Sequence, residues 1–277
     1  MKIYYSKNLF KGKKTVKGII QLLMILFYLF IFSGCGDNVF EDVSDDKSFE
    51  AKIEEAKIAI DDEDYAEARD ILLKLKEDHP TNNEVLKYLS DAYAGLAGID
   101  TFSLLEIIDE LDENGNSGSI DMIGLVLGDA QGNITSEEVS ESLLNLNAAL
   151  ENLQLITNPE DDQIIQMGIL GMSHMTLTVA EVVMDDLGIN EVELTEDGLS
   201  DLYPDAQQAD FSDITVPVES LSNDLELING AIVELNDISD SDNDLAEDFE
   251  EFEEDIDSDG DGTISVGNLE DFINNFE

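Results

Sequence analysis

Two places in this chain carry side chains able to do chemistry. Near the C-terminus, Asp257 to Asn268 reads DSDGDGTISVGN, with carboxylates at Asp257, Asp259 and Asp261. Carboxylate and carbonyl oxygens are the donors a hard cation takes. Near the N-terminus stands Cys35, the one cysteine among 277 residues, which excludes an internal disulfide. The two histidines, His79 and His174, fall on separate helical segments with no evident serine partner, and no Gly-rich phosphate loop is present. With 65 acidic residues in the chain, a pair of neighbouring carboxylates means nothing by itself. No catalytic constellation emerges, and the expectation is a protein that is not an enzyme.

The Asp257–Asn268 stretch resembles an EF-hand or dockerin calcium loop. Such a loop of twelve residues supplies oxygens at positions 1, 3, 5, 7, 9 and 12, with Gly at 6 for the sharp turn. The resemblance puts Asp257, Asp259 and Asp261 at positions 1, 3 and 5, and Gly262 at the turn. It implies a backbone carbonyl ligand from Thr263, an apolar anchor at Ile264 and a water held by Ser265. Asn268 stands at position 12, where the family has a bidentate Glu. It offers one oxygen and no charge, so affinity should fall unless Glu270 reaches in. The implied cofactor is Ca2+. The loop needs a helix on each side, and Leu245, Phe249, Phe252 and Ile256 before it, with Leu269, Phe272, Ile273 and Phe276 after it, have the required spacing.

The rest of the mature chain reads as all-α. Phe49 opens a helix with Ile53, Ala56 and Ile60 at helical spacing, and Asp61 to Asp64 makes a turn. Tyr65 to Asp78 presents Ala68, Ile71, Leu72 and Leu75 on one face. Pro80 then breaks the chain before a third helix, Glu84 to Leu96. The segment AKIAIDDEDYAEARDILLKLKEDHPTNNEVLKYLSDAYAGLAG resembles a tetratricopeptide repeat, two helices of a 34-residue unit stacking on the next pair. Ala68 and Leu72 match the small and large apolar positions, and Leu89 and Tyr93 fit the first helix of a second unit. The match decays at Phe102, Glu106 and Asp109. The resemblance implies a protein-binding scaffold, with an ordinary antiparallel helix pair as the alternative.

Downstream, Thr135 and Glu138 have the spacing of a capping box, opening a helix with Val139, Leu143, Leu146, Leu150 and Leu153 facing inward. GDAQGNITSEE echoes the calcium-loop pattern at Asp129, Gly132, Ile134 and Glu138, but with Leu127 at its first position it reads as vestigial. Asp161 to Asp186 is the most apolar stretch of the mature chain; Gln166, His174 and Glu181 make it too polar for a span, and it reads as the central buried helix. Gly168 and Gly171 permit a close helix approach. His174 between Met172 and Met175 reads as a buried histidine among gap-filling methionines rather than a soft-metal ligand. Residues 188–217 read as an irregular acidic connection. A last apolar-periodic helix, Glu219 to Asn236, carries Leu221, Leu225, Ile228, Ile232 and Leu235.

At the other end, six lysines (Lys2, Lys7, Lys11, Lys13, Lys14 and Lys17) precede an apolar run from Ile19 to Phe32 that ends in Ser33-Gly34-Cys35. A basic leader, a short apolar core and small residues before a cut site make a secretory signal. An uncleaved span needs about 20 apolar residues, and this run is shorter. Cys35 after Phe-Ser-Gly resembles the lipobox of bacterial lipoproteins, with Phe32 where the family usually has Leu. The resemblance implies a diacylated Cys35 as the new N-terminus, held in the cell envelope. Gly36 after it favours the outer over the inner membrane, since Asp there marks inner-membrane retention. The expected organisation is a signal over 1–34, a lipidated tether over 35–47, tetratricopeptide-like repeats over 48–111, a helical domain over 112–236, and an acidic linker with the calcium-loop tail over 237–277.

Without residues 1–34 the chain keeps 7 basic residues against 65 acidic ones, and nothing beyond Lys87 is Lys or Arg. On that count interior salt bridges are excluded over two-thirds of the protein. Self-repulsion at this density opposes compaction and calls for screening or bound cations, although 43% hydrophobic residues argue against disorder. Nucleic acid is excluded as a partner, because phosphate binding requires Lys and Arg. The expected function is a membrane-anchored envelope scaffold engaging a basic or cation-bridged protein partner. The alternative is a calcium-binding structural or surface module working through its C-terminal loop.

Overall fold

Ser48 starts the first helix because its hydroxyl accepts the Ala51 N–H, one of the donors a helix N-terminus leaves open. A computed structural model describes residues 48–99, 133–193, 211, 215–238 and 244–274. The chain divides into two units, Met1–Lys47 and Ser48–Glu277, and every described residue belongs to the second. The expected signal, Cys35 and the expected tether therefore lie outside the described residues, as do residues 100–132 with Phe102, Glu106, Asp109 and the front half of the segment that echoes the calcium loop.

Helices α1 (Phe49–Asp61), α2 (Tyr65–Asp78) and α3 (Asn83–Leu96) are separated by punctuation legible in the residues. Glu63 takes a left-handed φ of 62° in the acidic turn, Asp64 caps α2, and Asn82 Oδ1 caps α3 by accepting the Glu84 and Val85 N–H groups. His79, at the end of α2, lies edge-on to Phe49. These helices enclose a small core of Ile53, Ala56, Ala68, Ile71, Leu72, Val85 and Leu89.

α3 is two-faced. Val85, Leu89 and Ala92 turn into that small core, while Leu86 and Ala94 join a second, larger one. Around the larger core run α4 (Ser136–Gln154), α5 (Asp161–Leu187), α6 (Val218–Ile238), α7 (Asp244–Ile256) and α8 (Val266–Asn274). Each helix packs on the next, so the fold is a succession of packed helix pairs. The Thr135–Glu138 capping box forms as its spacing predicts, and all five expected inward residues of α4 are buried. So are Leu221, Leu225, Ile228, Ile232 and Leu235 of α6.

The scarce cations fasten the N-terminal helices to the acidic remainder. Lys87 pairs with Asp162 at 2.8 Å and Lys76 bonds Asn152 Oδ1 at 2.7 Å, while Gln166 donates to Asp91 at 2.6 Å. Asp162 beside Lys87 holds that ammonium above its ordinary range.

One feature departs from the all-α expectation. Strands β1 (Asn133–Thr135) and β2 (Glu191–Glu193) pair antiparallel with Ile134 opposite Val192. Residues 188–217 are thus not wholly irregular. Ile134 and Val192 are both buried, and each lies between less buried neighbours, the alternation a short strand needs.

α5 is, among the described residues, the one helix long and apolar enough to cross a membrane, so its composition alone does not exclude a span. Of its most apolar window, 94% is buried inside the protein, as a central core helix requires.

Candidate metal centre

The two helices that must present Asp257–Asn268 are fixed by aromatic packing. Phe249, Phe252 and Ile256 of α7 and Leu269, Phe272 and Ile273 of α8 are buried, and Phe252 meets Phe272 edge to face at 6.2 Å. Between them the chain reverses through Gly260 and Gly262, at φ 65° and 77°. A Cβ would be strained in that left-handed region. The reversal leaves one oxygen from each of Asp257, Asp259 and Asp261 within 4.8 Å of the others. Three carboxylates this close can hold a metal ion, and without one they repel.

Asp257 differs from its two neighbours. It is 5% exposed, whereas Asp259 and Asp261 are exposed. Its Oδ2 accepts the Gly262 N–H at 2.8 Å; its Oδ1 is buried and has no hydrogen-bond partner. A buried carboxylate oxygen without a partner costs several times what a made hydrogen bond returns, unless a cation meets it.

Thr263 is exposed, between the Gly262 turn and Ile264, which is buried as the apolar anchor. Asn268 is buried, and its Oδ1 accepts both the Ser265 N–H at 2.9 Å and the Ser265 hydroxyl. Its Nδ2 lies 3.4 Å from Asp259 Oδ1. Glu270 turns elsewhere, accepting the Phe211 N–H at 3.4 Å.

Residues 133–138 repeat the second half of this arrangement. Thr135 and Glu138 exchange the same bonds as Ser265 and Asn268, and Ile134 is buried as Ile264 is. The two differ in what holds the isoleucine. Ile134 sits in the two-stranded ladder, whereas the Ile264 N–H donates to Ser222 Oγ on α6 at 3.0 Å. That hydroxyl in turn donates to the Val218 carbonyl. Ser222 thus seats the loop on the bundle, a role the sequence does not signal.

No family model, curated protein or solved structure matches this chain. The site therefore rests on its own geometry, which is that of a carboxylate triad able to hold a metal ion.

A second polar cluster lies inside the bundle. His174 of α5 bonds Asp224 of α6, Nδ1 to Oδ2, at 2.6 Å, with the residues 4% and 1% exposed. Burial pushes the Asp224 carboxyl above its ordinary range, and the histidine pulls it back. The absence of Lys and Arg beyond Lys87 does not leave every interior carboxyl there without a side-chain partner. Counting Lys and Arg leaves histidine out, and His174 supplies the hydrogen-bond partner. His174 is buried beside Met172 and Met175, as its neighbours in sequence suggest. Asp224 is the residue that sequence reasoning misses, although it falls on the apolar stripe between Leu221 and Ile228.

Proposed function

We propose that this protein is a non-enzymatic, calcium-binding envelope lipoprotein, in which cation capture by Asp257–Asn268 locks the C-terminal helix pair onto the bundle. The observation that carries the reading is the buried, unpartnered Oδ1 of Asp257 beside two further carboxylates. Asp257, Asp259, Asp261 and the Thr263 carbonyl would hold the ion. Calcium supplies the positive charge that the chain beyond Lys87 otherwise lacks. Because α7 packs on α6, Phe252 and Phe272 join α7 to α8, and Ser222 holds the loop to α6, occupancy stabilises the C-terminal end.

Binding to the folded state alone stabilises it by about 2.7 kcal/mol when free calcium is about 100 times the dissociation constant. Melting of the full chain should therefore shift upward with calcium at constant ionic strength, and calorimetry should resolve one site above the general cation uptake of an acidic surface. Asp257→Ala should abolish that site. Asp259→Asn, at an exposed position, leaves the fold intact and should weaken it by about tenfold or more. An unchanged titration in both variants would sink the reading.

A second reading concerns the N-terminal helices, which resemble tetratricopeptide repeats and would act as a protein-interaction scaffold. Ile58 favours it. This side chain is 59% exposed in a shallow groove whose acids include Glu54, Glu55, Asp62 and Glu67, a setting for an apolar anchor flanked by basic residues. In native envelopes, with Cys35 diacylated and residues 1–34 removed, crosslinking should join one basic protein to this face. Ile58→Asp should lose it, and intact mass of the same membrane extract reports the anchor. An equal crosslinking yield from the variant would remove the scaffold role.

A further inference from the structure

We propose that the Asp257–Asn268 loop binds calcium and magnesium with similar affinity, and that Asn268 sets this by acting as a helix cap rather than as a ligand. The inference rests on the cation-loop reading above and adds the choice of ion. Calcium takes six to eight oxygens and gains from a bidentate carboxylate, whereas magnesium takes six in octahedral array and keeps several waters. The oxygens this loop has left to give decide between the two.

Asp257 has one of its two oxygens committed to the Gly262 N–H, so it ligates through Oδ1 alone. Asn268 has its carbonyl oxygen committed twice, to the Ser265 amide and hydroxyl. What it turns toward Asp259 is its NH2 group, a donor that no cation accepts. Glu138 spends its Oε2 in the same way on Thr135, so in both loops this position closes the first turn of the following helix. Glu270 faces Phe211, outside the loop. The ion is left with Asp257 Oδ1, Asp259, Asp261, the Thr263 carbonyl and water. That set is four protein oxygens with water to complete six, and it offers no second oxygen from the last position to favour the larger ion.

The test follows the Gly262 amide resonance of the full chain, which reports this loop and not the general acidic surface. Calcium chloride and magnesium chloride are titrated separately and in competition, at fixed ionic strength. Either ion should move the resonance, with dissociation constants within about tenfold of each other. Asn268→Glu should tighten calcium by about tenfold or more while magnesium changes by less than about threefold. If neither ion moves Gly262, the cation-loop reading itself fails. If calcium binds about a hundredfold more tightly than magnesium in the wild-type chain, that reading stands and the inference about ion choice is overturned. Unchanged selectivity in Asn268→Glu overturns the role given to Asn268.

Discussion

Replacing His174 with Ala should destabilise the protein by about 3–5 kcal/mol at neutral pH, as losing a buried hydrogen-bond partner and opening a cavity together do. The loss has two parts. Removing the ring opens a cavity between α5 and α6, and it leaves the Asp224 carboxylate in the core without its 2.6 Å partner. Asp224→Asn is the milder change, since its carbonyl still accepts from a ring N–H. Replacing both residues with Leu should recover most of the loss, because no buried polar group then lacks a partner.

The pH dependence has a definite sign. Burial raises the Asp224 carboxyl above its ordinary value of 3.8, so the folded state holds that proton more tightly than the unfolded chain. Stability from this group is fully present below 3.8 and is lost as pH rises through the raised value. Without His174 pulling it down, the carboxyl rises further. His174→Ala should accordingly lose stability from pH 5 to pH 8 relative to His174→Ala with Asp224→Asn, which lacks both titrating groups, as read by urea denaturation at fixed salt. A loss below about 1 kcal/mol for His174→Ala, or no such fall relative to the double variant, would contradict the account.

Gly168→Ala should cost about 1–3 kcal/mol by overpacking, even though Ala is the better helix former by about 1 kcal/mol. A Cβ at Gly168 would stand 2.3 Å from the Ala231 Cβ, and an alanine has no rotamer with which to yield. Helices α5 and α6 would have to separate, and α6 carries both Asp224 and Ser222. Ala231→Gly added to Gly168→Ala should restore more than half of the loss. Gly230→Ala is the control. Its Cβ would meet only Ile164 Cγ2 at 3.7 Å, so it should be neutral or mildly stabilising. A neutral Gly168→Ala in chemical denaturation would mean that α5 and α6 are not as close as described.

Much of the scaffold is legible in the residues alone, because its determinants are local. The turn at Asp61 to Asp64, the break at Pro80 and the Thr135–Glu138 box involve near neighbours in the chain, so type and spacing suffice to predict them. The same holds for the helical stripes, because a helix repeats its face every three or four residues whatever it packs against. The candidate site is legible in part for the same reason. Glycine at 262 and carboxylates on alternate residues specify a tight loop with clustered oxygens.

The direction in which a side chain spends its hydrogen bonds is not legible in that way. Asn268 looks like a ligand by position, and only its contacts reveal a carbonyl turned to Ser265 and an amide turned to Asp259. Partners distant in the chain are hidden too. Asp224 stands openly on the apolar stripe of α6, but nothing in its surroundings names His174, whose distance depends on the register of one helix against another.

By itself, then, the chain determined its helices, their caps, its extreme acidity and the presence of a carboxylate-rich turn, all matters of composition or of neighbours within one helical turn. Tertiary structure alone decided that α5 lies wrapped in protein, that Ile134 pairs with Val192, that His174 partners Asp224, and that one oxygen of Asp257 is buried and unclaimed. Each of these depends on which surfaces exclude water together, and that is fixed only when helices far apart in sequence dock.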